Sequence, residues 1–164
     1  MKRVFLISIY IYFMNIVQAQ SGYSIQGNEV LTGSTVLFKT GTAELLPASD
    51  SALLTIKRYL DDKSYISLLR IEGHVAAGGD AAAGQQLSQQ RALAVAARLV
   101  ALGADCKRLI AVGFGATKPV AVNATVEGRL QNNRISFFNA ALRGRLIGGM
   151  PADGGGQVAG DVCR

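Results

Sequence analysis

Residues 69–92, LRIEGHVAAGGDAAAGQQLSQQRA, set the chain's single histidine, His74, and a helix-borne arginine, Arg91, on either side of a glycine-rich loop. A strand that ends in such a loop and enters a helix turns free backbone N–H groups toward a ligand. Arg91 falls between Leu87 and Val95 at four-residue spacing, near the face that packs, where a guanidinium suits bidentate capture of a carboxylate. Covering apolar surface with a solvated head is an equal reading of that spacing. His74 has no nucleophile-elbow serine, no cysteine partner and no HExxH context, so neither a hydrolytic triad nor a zinc site can be assembled. Neither catalysis nor a metal or cofactor is expected.

Two glycine patterns invite nucleotide readings, and both fail. Gly79-x4-Gly84 lies where a phosphate-binding loop belongs, but Gln85 and Gln86 replace the lysine and hydroxyl that such a loop needs. Gly113-Phe114-Gly115 lacks the third glycine and the following helix of a dinucleotide fingerprint. Cys106 and Cys163 are the only cysteines, and their spacing is not that of a metal site. In an exported chain they pair or stay as two thiols, and the sequence leaves both open.

Export is expected from the N-terminus. Lys2 and Arg3 precede an apolar run over residues 4–17, and Val17-Gln18-Ala19 supplies small residues at the cleavage positions of a secretory signal peptide spanning residues 1–19. The run is short for a membrane span, so no transmembrane segment is expected in the mature chain. No cysteine follows the run, so a lipid anchor is not expected either. Of the 17 basic and 11 acidic residues, two basic ones lie in that leader, so the mature charge is 15 − 11 = +4. Such a mild excess suits an anionic envelope polymer or membrane surface. The scattered basic residues carry no aromatic interleaving, so nucleic acid is not the expected partner.

The elements that must position Arg91 follow from periodicity. Residues 20–32 read as a linker or an edge strand, and residues 35–38 as a buried strand ending in a Thr40-Gly41-Thr42 turn. Pro47-Ala48-Ser49-Asp50 starts a helix whose stripe is Leu53, Ile56, Tyr59 and Leu60. Residues 65–71 form the next strand. Ala92, Val95, Leu99 and Leu102 stripe the second helix, which stops at Gly103. A strand over residues 109–112, a helical turn near residues 127–132 and a strand over residues 134–138 complete the pattern. The expected class is α+β, a βαβαβ order with a closing strand and two main helices on one mixed sheet. The domain is expected over residues 33–140. Residues 141–164, with seven glycines, read as a flexible tail.

In sequence, these pieces resemble the OmpA-like periplasmic domain, a peptidoglycan-binding family of the cell envelope. The resemblance covers about residues 36–137: Val36-Leu37-Phe38 with Gly41-Thr42-Ala43-Glu44-Leu45, then Ile71-Glu72-Gly73-His74 in place of the family's GHTD box. It continues through Leu87-Ser88-x-x-Arg91-Ala92, Gly113-Phe114-Gly115 with Pro119, and Asn123 through Glu127-Gly128-Arg129 to Asn132-Asn133-Arg134-Ile135. The resemblance implies a periplasmic, outer-membrane-associated protein whose ligand is the diaminopimelate of the peptidoglycan stem. The expected ligand set is Arg91 and Arg134 on the carboxylate, with His74 shaping the loop and Thr40 in the first loop; Asp80, four residues beyond Ala76 in the same loop, is a candidate by proximity alone to replace the missing acid. The family's ammonium-binding aspartate is replaced by Ala76. Val75 stands for the usual threonine, Gly84 for a common asparagine, Lys39 for a frequent aspartate and Asn133 for the first of two arginines. Two readings follow: a weakened peptidoglycan binder, or a module that keeps the fold and contacts an envelope protein instead.

Overall fold

The computed structural model describes residues 22–147 and 154–164. The expected leader, residues 1–19, lies outside them. The chain enters on a hairpin, β1 (Tyr23–Gln26) and β2 (Glu29–Thr32), turned at Gly27 with φ +60°. A single 3-10 turn, Pro47–Ser49, leads into α1 (Asp50–Asp62). Then follow β3 (Ile66–His74), α2 (Ala81–Ala101), β4 (Leu109–Gly113), α3 (Val126–Asn132) and β5 (Arg134–Leu142). Two short strands, β6 (Arg145–Leu146) and β7 (Gln157–Val158), close the chain. The sheet order is β1-β2-β5-β3-β4-β7, with β6 beside β5. Only β3 and β4 run parallel, so the sheet is mixed and the class is α+β as expected.

α1 and α2 share one face of the sheet. The α1 stripe Leu53, Ile56, Tyr59 and Leu60 and the α2 stripe Ala92, Val95 and Leu99 are buried against Leu69, Ile71, Ala111 and Phe137. Gly103, at φ +94°, takes the left-handed conformation that ends α2, and Ala104 N–H closes back on the Leu99 carbonyl at 2.9 Å. Arg98 clamps Asp50 with two bonds of 3.0 and 2.7 Å and ties α2 to the start of α1.

α2 approaches β3 so closely that only glycine fits at the crossing. A Cβ on Gly73 would lie 2.1 Å from the Ser88 carbonyl oxygen, a backbone atom that cannot swing away. Gly73→Ala is therefore expected to destabilise the domain by ~3 kcal/mol through overpacking, read as a lower urea midpoint at unchanged m-value.

Two expectations are corrected. Residues 35–38 are not a sheet strand: the place beside β5 is taken by β2, through Glu29↔Phe138 and Val30↔Phe137. The 35–38 segment instead binds the α1 entrance, with Leu37 N–H and carbonyl both held by Ser49 Oγ at 2.8 Å and a lone bridge from Phe38 to Leu45. Residues 23–32, within the stretch read as a linker or an edge strand, form the edge hairpin. The segment read as a flexible tail is fastened at several points. β5 continues to Leu142, β6 folds back on it, β7 pairs with the edge of β4, and Cys163 is bonded to Cys106. Among its described glycines, Gly144 and Gly154 serve turns, with φ +79° and +74°.

Candidate ligand-binding site

β3, α2 and the loop after β4 meet at one end of the sheet. Val75 N–H donates to the Gly115 carbonyl at 2.9 Å, and Gly115 N–H donates to Ser88 Oγ at 2.8 Å, so both loops are tied to α2. Asparagines brace the β3–α2 loop from the far side. Asn133 Oδ1 accepts from Ala76 N–H at 3.1 Å, and Asn123 Oδ1 accepts from Ala77 N–H at 3.2 Å. The buried Asn132 fixes that second asparagine, donating to Asn123 Oδ1 at 2.9 Å while accepting from Val120 and Ala121 N–H.

Between these loops and the first turns of α2 lies a cavity of about 560 Å³, within the size range of small-ligand sites. Val75, Ala76, Ala81, Leu87 and Ala116 give it apolar walls. Asp80 is the one ionisable residue in its lining. Its carboxylate caps α2, accepting from Ala82 N–H at 3.0 Å, and it stands exposed at the lip.

Arg91 sits farther along α2 and is only 9 % exposed. Its Nε donates to the Thr42 carbonyl at 2.9 Å, and its guanidinium lies over the Phe38 ring, 4.9 Å from the centroid. Neither Nη atom has a partner among the described residues. Burial pulls the Arg91 pKa below its ordinary value, the mark of a cation short of solvation. Thr40 is exposed in the loop that ends at Thr42, and it is Thr42 that meets the arginine.

Arg134 does not join Arg91. Side chains alternate along a strand, and Gly73 faces α2, so His74 and its cross-strand partner Arg134 face away from the helices. There they belong to a buried polar cluster that sequence reading did not assemble. Glu72, 2 % exposed, pairs with Arg70 and accepts or shares a proton with His74 Nε2 at 3.1 Å, while Lys118 Nζ lies 3.9 Å away. Arg134 Nη2 donates to the Lys118 carbonyl at 3.2 Å. His74 stacks on Phe114 at 5.4 Å and is neutral by preference, because burial depresses its pKa more than Glu72 raises it. His74 is thus buried in this cluster and does not line the cavity. The expected convergence of two arginines on one carboxylate is corrected by this alternation. The signal for the cluster was present in Arg70, Glu72 and His74 at two-residue spacing, all on one strand face.

Comparison with known proteins agrees with this geometry. The model of the OmpA family matches residues 37–134. The chain is similar to the probable lipoprotein YiaD of Escherichia coli (strain K12), with 29% identity over 144 residues, covering 80% of this chain and 64% of that protein. It is similar to the peptidoglycan-binding protein ArfA of Mycobacterium tuberculosis (strain ATCC 25618 / H37Rv), with 34% identity over 107 residues, 65% of this chain and 32% of ArfA. This chain therefore spans less than two thirds of the length of either relative. Among solved structures it is similar to the cell wall anchor of the T6SS from Pseudomonas aeruginosa, with a TM-score of 0.60 and 27% identity over 73% of this chain and 86% of that one.

Proposed function

From the premise that the chain belongs to the OmpA family, we propose that it is a non-enzymatic envelope protein that binds the peptidoglycan stem peptide by its diaminopimelate carboxylate. The observation that carries this reading is Arg91. A guanidinium removed from most of its water, pinned at Nε by Thr42 and backed by Phe38, keeps two donors side by side with no acceptor among the described residues. A carboxylate is the ligand whose two oxygens match that pair. A buried cation without a counter-charge is costly, so binding an anion there recovers solvation the fold gave up. The likeness to a protein named for peptidoglycan binding and to a cell wall anchor supports the same ligand. An exported chain working in the periplasm, near the outer membrane, fits this role.

The test is retention on purified peptidoglycan sacculi. The wild-type protein is expected to co-sediment, and Arg91→Ala is expected to lose ~30-fold or more in affinity, as when one partner of a desolvated charge pair is removed. Arg134→Ala, on the opposite face of the sheet, is expected to keep most of the retention. If wild type fails to sediment, wall binding is wrong. The module that contacts an envelope protein would then stand, and the exposed Val120, Val122, Val126 and Leu130 around α3 favour that second reading.

A further inference from the structure

Resting on that reading of the site, we propose that the C-terminal segment is a redox-releasable strap on the cavity. While Cys106 and Cys163 are bonded, the strap holds one side of the cavity in the shape that receives the stem peptide. Reduction of the bond frees that side and weakens peptidoglycan binding.

The strap is a run of three glycines. Gly154, Gly155 and Gly156 lie in turn on Lys118, Thr117 and Phe114. A Cβ on Gly154 would come 2.9 Å from Lys118 Cε, one on Gly155 3.0 Å from Thr117 Cγ2, and one on Gly156 2.6 Å from Phe114 Cε1. Bare backbone, at φ +74° and +87° for the first two, is what lets the segment lie flat on the loop after β4. Thr117 Oγ1 reaches the Gly154 carbonyl at 3.0 Å. That loop is a side of the cavity: Gly115, Ala116 and Thr117 line it. A peptide whose carboxylate rests on Arg91 has the cavity beside it, because Leu87, one turn earlier on α2, also lines it.

From the strap the chain runs antiparallel to β4, through Gly113↔Gln157 and Val112↔Val158, and Ala159 N–H donates to the Ala111 carbonyl at 2.9 Å. It then reaches the bond to Cys106, just before β4 begins. The disulfide thus stands at one end of β4 and the strap at the other. Apart from that bond, the segment is held by a two-residue strand and a 3.4 Å bond from Gln89 Nε2 to the Val158 carbonyl. Hydrogen bonds that water can replace do not offset the freedom lost by fixing so much chain, so the covalent tether decides whether the strap stays down. Cys163 is exposed and Cys106 half-buried, which leaves the bond open to a dithiol. A thiolate of the reductant attacks one sulfur and the other cysteine leaves as a thiolate. The second thiol of the reductant then displaces the first cysteine. The protein gains two electrons and two protons, and the dithiol becomes a disulfide. With the strap released, a ligand must order the loose side of the cavity as it binds.

The test compares the purified protein oxidised and after reduction by a dithiol, with both thiols then blocked by iodoacetamide, at a temperature where circular dichroism shows both forms folded. Reduction is expected to lower affinity for peptidoglycan sacculi about ten-fold, the loss of a preorganised surface. Amide exchange is expected to speed up at Gly115, Ala116 and Thr117 more than at Arg91. Gly155→Val, which keeps the disulfide but lifts the strap from Thr117, is expected to reproduce the loss and to lose nothing further on reduction. This variant decides the matter even where reduction unfolds the chain. If the folded, reduced protein or Gly155→Val sediments as well as the oxidised wild type, the inference is overturned while Arg91-dependent retention keeps the underlying reading. An oxidised wild type that fails to sediment overturns the two together.

Discussion

Glu72→Ala is expected to cost about 3–5 kcal/mol of folding stability, because it strips a buried acid from its buried partner Arg70, with Lys118 near. Glu72 is held between Arg70 and His74, with Lys118 near, and side chains of 3 % exposure for Glu72 and 1 % for His74 leave water no way to substitute. Arg70 Nε, His74 Nδ1 and Arg134 Nη1 are already buried without partners, so the cluster has no slack in which to absorb a lost carboxylate. Urea denaturation checks the magnitude. The double change Arg70→Leu with Glu72→Leu is expected to cost less than Glu72→Ala alone, since apolar replacement removes both charges. If the single and double variants are equally damaging, packing and not charge holds this strand pair.

The same cluster fixes the acid response. Burial pushes the Glu72 carboxyl up, but the bond to His74 and the charges of Arg70 and Lys118 outweigh it and leave its pKa below the ordinary 4.5. The His74 pKa lies below 6.5, with burial the chief cause. For both groups the unfolded chain binds protons more readily than the folded one, so both contributions are complete at high pH and decline on acidification. Stability is expected to fall from pH 6.5 downward as His74 is forced to charge, and again below pH 4.5 as Glu72 is neutralised. Urea midpoints at pH 8, 6, 5 and 4 separate the two windows. A His74→Phe variant, which keeps the stacked ring, is expected to lose the first.

Cys163→Ser is expected to be the second most damaging change, removing about 4 kcal/mol by the loop-entropy relation for two cysteines 57 residues apart. That is a fall in melting temperature of ~10 °C for a domain of this size, and reduction of the wild-type protein is expected to match it. The effect should be local as well as global. The bond holds the chain end beside the start of β4, and β7 pairs with β4 through Val112↔Val158 and Gly113↔Gln157. Amide exchange at Val158 and Ala159 is therefore expected to accelerate before that of β3. Unchanged exchange there would show that pairing alone secures the segment.

Much of the frame was written in local pattern. The α1 and α2 stripes, the strand ending at His74 and the turn of helix before Arg134 each depend on residues three or four apart, or two apart, that sequence displays directly. Residues 35–38 misled because an apolar run of four carries no record of its partner, and β2 competes for the same edge of β5. The C-terminal segment misled because glycine abundance is shared by disordered tails and by chains that turn often, and only the tertiary contacts of Cys163 and Val158 distinguish them. At the site, Arg91 was legible from its place on the α2 face. Thr42 and Phe38, which aim it, were not, since they reach it across some fifty residues of chain. Arg134 was placed wrongly for a simple reason: its side of the sheet is set by register with His74, and register is invisible in one strand alone.

The two edges of the sheet are unequal as mechanical joints. At one, β7 and a covalent bond bolt the chain end to β4. At the other, the β1–β2 hairpin meets β5 through two register pairs and leans on α1 by the Tyr23–Tyr59 ring contact, 5.0 Å between centroids. A pull through Gly22 against a held Arg91 loads that second joint and spares the first. The hairpin is then expected to yield in tension while β3, α2 and β4 stay assembled.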